Sequence, residues 1–259
     1  MTRDINELVA EALAGVESSL GRLLTMVETD ESSVSHILAG IAADRGGAFR
    51  IGVTGPPGSG KSTLIDRLVS IVRSEGLTVG VICVDPSSPV SGGAVLGDRI
   101  RMERHFSDEG VFIRSMASRG DRGGIAKAVG GAVALFDACG KDVVIVETVG
   151  TGQEGIEVTG LVDVTVLVLA PGWGDTVQLM KAGILEVADV VVVNKADLGS
   201  AGLIEGIKDV LALGRRDRWQ PVVETQAMDD IGVDVLWAEL LSFETERGGL
   251  RGRVQPQRW

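Results

Sequence analysis

Phe49-Arg50-Ile51-Gly52-Val53-Thr54-Gly55-Pro56-Pro57-Gly58-Ser59-Gly60-Lys61-Ser62-Thr63 is the stretch of this 259-residue chain whose reading decides the fold. Its first part alternates apolar residues at Phe49, Ile51 and Val53, the pattern of a short strand. A turn rich in glycine and proline follows, and a helix begins at Lys61. Gly55 and Gly60-Lys61-Ser62 fit the spacing G-x-x-x-x-G-K-[ST] of a phosphate-binding loop. Glycines let such a loop curl until several backbone N–H groups point at one anion, and the helix N-terminus adds a favourable dipole. The expected cradle is Gly58, Ser59, Gly60, Lys61, Ser62 and Thr63. Lys61 would reach the β- and γ-phosphates and the Ser62 hydroxyl would ligate Mg²⁺.

Outward from this loop, short apolar runs alternate with helical stretches. Strands are expected at 49–54, 78–84, 111–114, 142–147, 164–170, 189–193 and 221–223. Helices are expected near 61–74, 124–139, 176–188, 202–213 and 230–246. Val143–Val146 and Val190–Val193 are continuous β-branched runs, as in strands buried on both faces. The pattern predicts an α/β P-loop NTPase fold, with a mostly parallel central sheet and helices on both faces. Ligands then bind at the carboxyl ends of the strands.

Before the first strand, apolar residues recur at three- and four-residue steps from Ile5 through Val16 to Val27, predicting one helix over 5–27. Val34, Ile37, Leu38 and Ile41 repeat the pattern after a polar break at 29–33. The expected organisation is an N-terminal helical hairpin (1–46), a P-loop domain (47–248) and a short tail (249–259). The hairpin reads first as a cover for one side of the sheet and second as a docking surface.

Bulk properties narrow the partners. The net charge is −11 and no basic block is present, which argues against nucleic acid or an anionic membrane as the main partner. Cys83 and Cys139, the only cysteines, lie in apolar or helical runs, so a cytoplasmic location is expected. No membrane span is visible in the sequence.

Three further motifs carry chemistry. Asp85 ends a strand in VICVDPSSPVSGG and Asp98 follows in LGDRIRM; two loop carboxylates suit Mg²⁺, which demands oxygen ligands. DVVIVETVG places Glu147 at a strand end with Gly150 beyond it, so Glu147 could touch the metal shell or orient an attacking water. Lys61, Asp98 and Glu147 are thus the catalytic candidates, and Ser62, Asp85, Asp98 and Glu147 the metal candidates. VVVNKADL supplies a base reader: the Asp197 carboxylate would accept from guanine N1–H and the 2-amino group, which adenine cannot match. Lys195 would lie along the base and Asn194 would brace the loop. Ala227, in VVETQAMDD, offers a backbone N–H to guanine O6. GTP/GDP and Mg²⁺ are the expected ligands.

With these motifs in order, the chain resembles the MeaB/ArgK-type GTPases, chaperones of adenosylcobalamin-dependent acyl-CoA mutases such as methylmalonyl-CoA mutase. The matching text includes GVTGPPGSGKSTLIDRL, VDPSSPVSGGAVLGDRIRM, FIRSMASRG, VIVETVGTGQ and VLVLAPGWGDTVQLMKAGILEVADVVVVNKADL. The resemblance implies switch segments over 93–122 and a third switch over 172–181, with Asp175, Gln178 and Lys181 relaying the nucleotide state to the mutase. It also implies weak intrinsic hydrolysis that the mutase accelerates. Three departures stand out: Gln153 is followed by Glu154-Gly155 where the family writes GQSE, Asp121-Arg122 replaces His-Leu, and Trp173 replaces a small residue. After 247 only GGLRGRVQPQRW follows, whereas the resemblance implies dimerisation through a longer C-terminal arm; a homodimer stays open, with the usual arm expected to be absent. A metal-insertion GTPase of the nickel-chaperone type and a small-molecule kinase are the alternatives. The first would need soft or imidazole ligands, for which His36, His105, Cys83 and Cys139 form no close pair in sequence.

Overall fold

A computed structural model describes residues 4–41, 47–85, 102–117, 122–148, 159–172, 184–213 and 220–245. Among these residues seven strands form one sheet: β1 (Phe49–Thr54), β2 (Val79–Asp85), β3 (Val111–Ala117), β4 (Val143–Glu147), β5 (Val164–Leu169), β6 (Val190–Asn194) and β7 (Val222–Thr225). The order across the sheet is β3-β2-β4-β1-β5-β6-β7, and every pairing is parallel. β1 is central. The chain first builds the sheet on one side of it, through β2, β3 and β4, and then crosses to the other side at β5. Parallel pairing puts all seven carboxyl ends on one edge of the sheet, where ligands bind in open α/β folds.

The strands read as unbroken apolar runs because helices cover both faces. On one face α4 (Lys61–Ser74) and α8 (Val233–Thr245) bury Leu64, Ile65, Leu68, Leu236, Trp237 and Leu240 against Ile51, Val53, Val81 and Ile145. On the other, α5 (Arg122–Ala138) packs Val129, Val133 and Phe136 on Ile82, Val144 and Val146. The α6 (Ile184–Val187) and α7 (Ala201–Leu213) helices cover β5 and β6 through Leu185 and Ile207. Burying each large aliphatic side chain contributes about 1.5–3 kcal/mol.

The N-terminal region differs from the expected hairpin. It forms three helices, α1 (Ile5–Leu13), α2 (Glu17–Thr29) and α3 (Glu31–Gly40). The expected single helix over 5–27 is broken at Gly15, which adopts φ +90°. Gly15 N–H donates to Ala12 O at 3.0 Å and Val16 N–H to Glu11 O at 2.9 Å, a Schellman stop. Val16, placed by periodicity on the apolar face, is instead 42% exposed. The polar break shrinks to a single residue, because the Asp30 side chain accepts from Ser32 N–H and starts α3 at once. These helices lie on α5, with Leu23, Leu24, Val27 and Ile37 in the same core cluster as Phe136. A Cβ on Gly131 of α5 would stand 2.7 Å from Val27 Cγ1, so glycine is what lets α2 approach.

Candidate functional site

At the carboxyl edge of the sheet, β1 runs into the loop 55–60 and then into α4. Gly55, Gly58 and Gly60 all have positive φ. A Cβ on Gly55 would sit 2.1 Å from Val168 O, and one on Gly60 would sit 2.3 Å from Asn194 Nδ2. The loop therefore admits no side chain at either position. Lys61 and Ser62 are buried. The Lys61 ammonium donates to Gly55 O at 3.0 Å and Pro56 O at 3.2 Å, so it is folded back over the loop it follows.

Ser62 meets Glu147 here. Its hydroxyl donates to Glu147 Oε1 at 2.9 Å, joining the first turn of α4 to the end of β4. A buried hydroxyl and a buried carboxylate side by side are hard oxygen donors of the kind Mg²⁺ takes, so this corner fits the ion. Asp85 is the last residue of β2. The side chain of Asp85, and all of Asp98, Asp175, Gln178 and Lys181, lie outside the described residues.

Asn194, at the end of β6, organises the opposite end. Its Nδ2 donates to Ser59 O at 2.9 Å, while its Oδ1 accepts from Thr225 Oγ1 at 3.0 Å and from Ala227 N–H at 3.1 Å. One side chain thus ties together the phosphate loop, the end of β6 and the loop after β7. Lys195 follows in the left-handed region at φ 57°, uncommon for a lysine, and its ammonium donates to Gly58 O at 2.8 Å. Asp197 is exposed in the short turn Ala196–Leu198. The Ala227 N–H expected to face guanine is here directed at Asn194 Oδ1, so a base O6 would be a second acceptor of the same hydrogen.

One cavity of about 580 Å³ is lined by Lys61, Ser62 and Glu147 at one end and by Asn194, Asp197 and Met228 at the other. Thr63, Gly58 and Gly60 line it as well, and so do Thr148 and Gln226, which the motifs did not single out. Thr225 was also missed. Its place two residues before Ala227 at a strand end was the available signal, and its hydroxyl is what holds Asn194 from that side.

Behind the phosphate loop, Asp66 of α4 is buried against two groups from the turn Glu103–His105. Arg104 Nε donates to Asp66 Oδ1 at 2.8 Å, and His105 Nε2 lies 3.1 Å from the same oxygen. Burial pushes the Asp66 carboxyl up, but the His105 and Arg104 contacts outweigh it and hold the group below its ordinary value.

Comparison with known proteins settles the family. The model of the family described as "Methylmalonyl Co-A mutase-associated GTPase MeaB" matches residues 20–258. The chain belongs to the MeaB family. A Pyrococcus abyssi protein provisionally named a GTPase is 47% identical over 91% of this chain and 75% of its own length. The Escherichia coli protein named GTPase ArgK is 38% identical over 97% of this chain and 79% of that one. A mouse protein named methylmalonic aciduria type A homolog, mitochondrial, is 37% identical over 81% of this chain and 53% of its own length. Among solved structures, one named LAO/AO transport system kinase superposes with a TM-score of 0.75 at 30% identity, covering 96% of this chain and 78% of that one. HypB from Helicobacter pylori, at TM-score 0.57 and 15% identity, shares the fold. As a member of the MeaB family the chain is a P-loop GTPase that hydrolyses GTP to GDP and phosphate. Among the described residues no helix is long and apolar enough to cross a membrane.

Proposed function

We propose that this GTPase serves an adenosylcobalamin-dependent acyl-CoA mutase, coupling GTP binding and hydrolysis to loading or protection of the mutase's cofactor. The observation that carries the nucleotide half is the single cavity with Lys61, Ser62 and Glu147 at one end and Asn194, Lys195 and Asp197 at the other. The mutase half rests on membership of a family described by its association with methylmalonyl-CoA mutase.

In this reading the phosphates lie over Gly58–Thr63 at the N-terminus of α4, where loop N–H groups and the helix dipole favour an anion. The Lys61 ammonium neutralises charge on the transferring phosphoryl group. Ser62 and Glu147, together with Asp85 and Asp98, would hold Mg²⁺. When bound, the ion would supply positive charge that neutralises the phosphates. Glu147 is held by Ser62 at 2.9 Å, which fixes its carboxylate for the metal shell or for the attacking water. At the base end Asp197 accepts from N1–H and the 2-amino group, Lys195 lies along the ring, and Ala227 N–H serves O6. Hydrolysis is then a matter of position and charge, with little covalent work for the protein.

The nickel-chaperone alternative finds no support in the residues it would use. His36 Nε2 is 3.1 Å from Asn6 Oδ1 and His105 is held at Asp66. Cys83 is buried in the sheet core, and burial pushes the Cys139 thiol up to about 11.

The deciding experiment measures single-turnover GTP hydrolysis with and without the adenosylcobalamin-dependent mutase of the same cell. Stimulation in the wild type, reduced in Lys181→Ala with GTP binding kept, is the expected result. Absence of stimulation in the wild type would remove the mutase from the proposal, and equal stimulation in both would remove Lys181 from the coupling.

A further inference from the structure

Arg67 lies on α4, beyond Ser62 and one residue past Asp66, and its guanidinium reaches the loop after β7. Nη1 donates to Asp230 Oδ2 at 2.9 Å and Nη2 donates to Met228 O at 3.2 Å. That loop is closed on itself. Gln226 N–H donates to Ile231 O at 3.0 Å and Ile231 N–H returns to Gln226 O at 3.3 Å. Asp230 takes φ 60° to allow the closure, and a Cβ on Gly232 would meet Glu224 O at 2.2 Å, so the loop's exit is fixed as well. Inside the ring sit Ala227, whose N–H touches Asn194, and Met228, which lines the cavity.

The ring hangs from two tethers. Asn194 holds its start from β6, and Arg67 holds its far side from the helix that follows the phosphate loop. A lone exposed ion pair between Arg67 and Asp230 would matter little. The second arm changes this, because a guanidinium is a rigid planar fork that fixes direction as well as distance. Its carbonyl target at Met228 is one residue past Ala227, so holding that carbonyl limits how the Ala227 N–H can swing.

We propose that Arg67 is a positioning residue for base selection: by gripping Met228 O and Asp230 from α4, it holds the loop so that Ala227 N–H meets guanine O6. The proposal rests on the reading above in which this loop faces O6. It makes the phosphate helix and the base-reading loop one rigid unit, although the two lie far apart in sequence.

The test compares binding of GDP and 6-thio-GDP by calorimetry. The thio analogue keeps the N1–H and 2-amino group that Asp197 reads and replaces only O6, with sulfur as a weaker acceptor. The wild type is expected to prefer GDP. Arg67→Ala should weaken GDP about twofold to fivefold, in the range of one lost surface tether, and leave 6-thio-GDP nearly unchanged, so that the preference narrows. Asp230→Asn, which tolerates the left-handed backbone, should narrow it less because the Met228 arm remains; it carries the test if Arg67→Ala fails to fold. Equal weakening of both nucleotides in either variant, or no weakening, overturns the proposal. A wild type that binds both equally overturns it too, and places the fault in the O6 reading. A switch of Asp197→Asn to xanthine nucleotides would then show that the rest of the base site stands.

Discussion

At the end of the cavity proposed to take the phosphates, a methyl group added to Gly55 would lie 2.1 Å from a backbone oxygen of β5. At the end proposed to take the base, the contacts run through one amide, Asn194, whose two polar atoms reach Ser59, Thr225 and Ala227. One end is shaped by backbone and by the absence of side chains; the other is shaped by a side chain that gathers three loops. The difference teaches where each end is fragile. A backbone cradle fails when anything is added to it, and a gathered one fails when its central residue is removed.

The sharpest break is chemical rather than steric. Asp197→Asn should exchange guanine for xanthine nucleotides, because an amide can donate to the 2-oxo group that the carboxylate repels. Sites built to hydrogen-bond a group reject a ligand lacking it by about 10⁴; competition between GTP and XTP measures the swing. An unchanged preference would mean that the base is read elsewhere in the cavity.

At the other end, Lys61→Ala should abolish the thermal shift that GDP or GTP produces. The wild type at a hundred times its Kd gains about 2.7 kcal/mol, and a mutant that keeps this gain would show the cradle binding phosphate without its ammonium. Asn194→Ala should damage both ends at once, since the Ser59 carbonyl and the Thr225 hydroxyl lose a buried partner together. A stability loss of about 2–3 kcal/mol is expected from unsatisfied buried groups, with weaker binding of pyrophosphate as well as of GDP. If pyrophosphate binds as before, the two ends are independent.

The smallest effect lies behind the cradle. Asp66→Asn should cost about 1–2 kcal/mol at neutral pH by weakening the grip on Arg104 and His105. The Asp66 carboxyl titrates below its ordinary value of 3.8 when folded, so its contribution is present above that value and is lost as pH falls through the lower, folded one. The gap in thermal midpoint between wild type and variant should therefore be open at neutral pH and narrow as pH falls below 3.8. A gap that stays open well below that pH would assign the stability to another group.

How much of this was readable beforehand follows from what kind of atom does the work. The seven strands were legible because β-branched runs such as Val190–Val193 are buried on both faces and so leave a long apolar signature. Gly55, Gly60, Lys61, Ser62 and Asn194 stood out in the sequence because the chemistry expected of them needs a fixed residue type. The Ser59 and Met228 carbonyls did not, since any residue supplies a carbonyl. Neither did the Arg67–Asp230 contact, which joins residues 163 positions apart. Periodicity misjudged the N-terminus for a different reason. The apolar phase runs on through Gly15 as if the helix continued, while a single left-handed glycine turns the chain.

Among the described residues the sheet order leaves β3 with a neighbour on one side only, and such an edge is where strands from other molecules add. Glu28 of α2 blunts it: Oε1 accepts Ala117 N–H at 3.1 Å and Oε2 accepts from Arg114 Nη2 at 2.6 Å. The N-terminal helices therefore do more than keep an apolar face dry. They occupy a backbone donor at the end of the outermost strand, so a chain shortened to begin at Gly47 should self-associate through that strand as well as through its bared helix. Glu28→Ala in the full-length chain isolates the strand's part of that tendency.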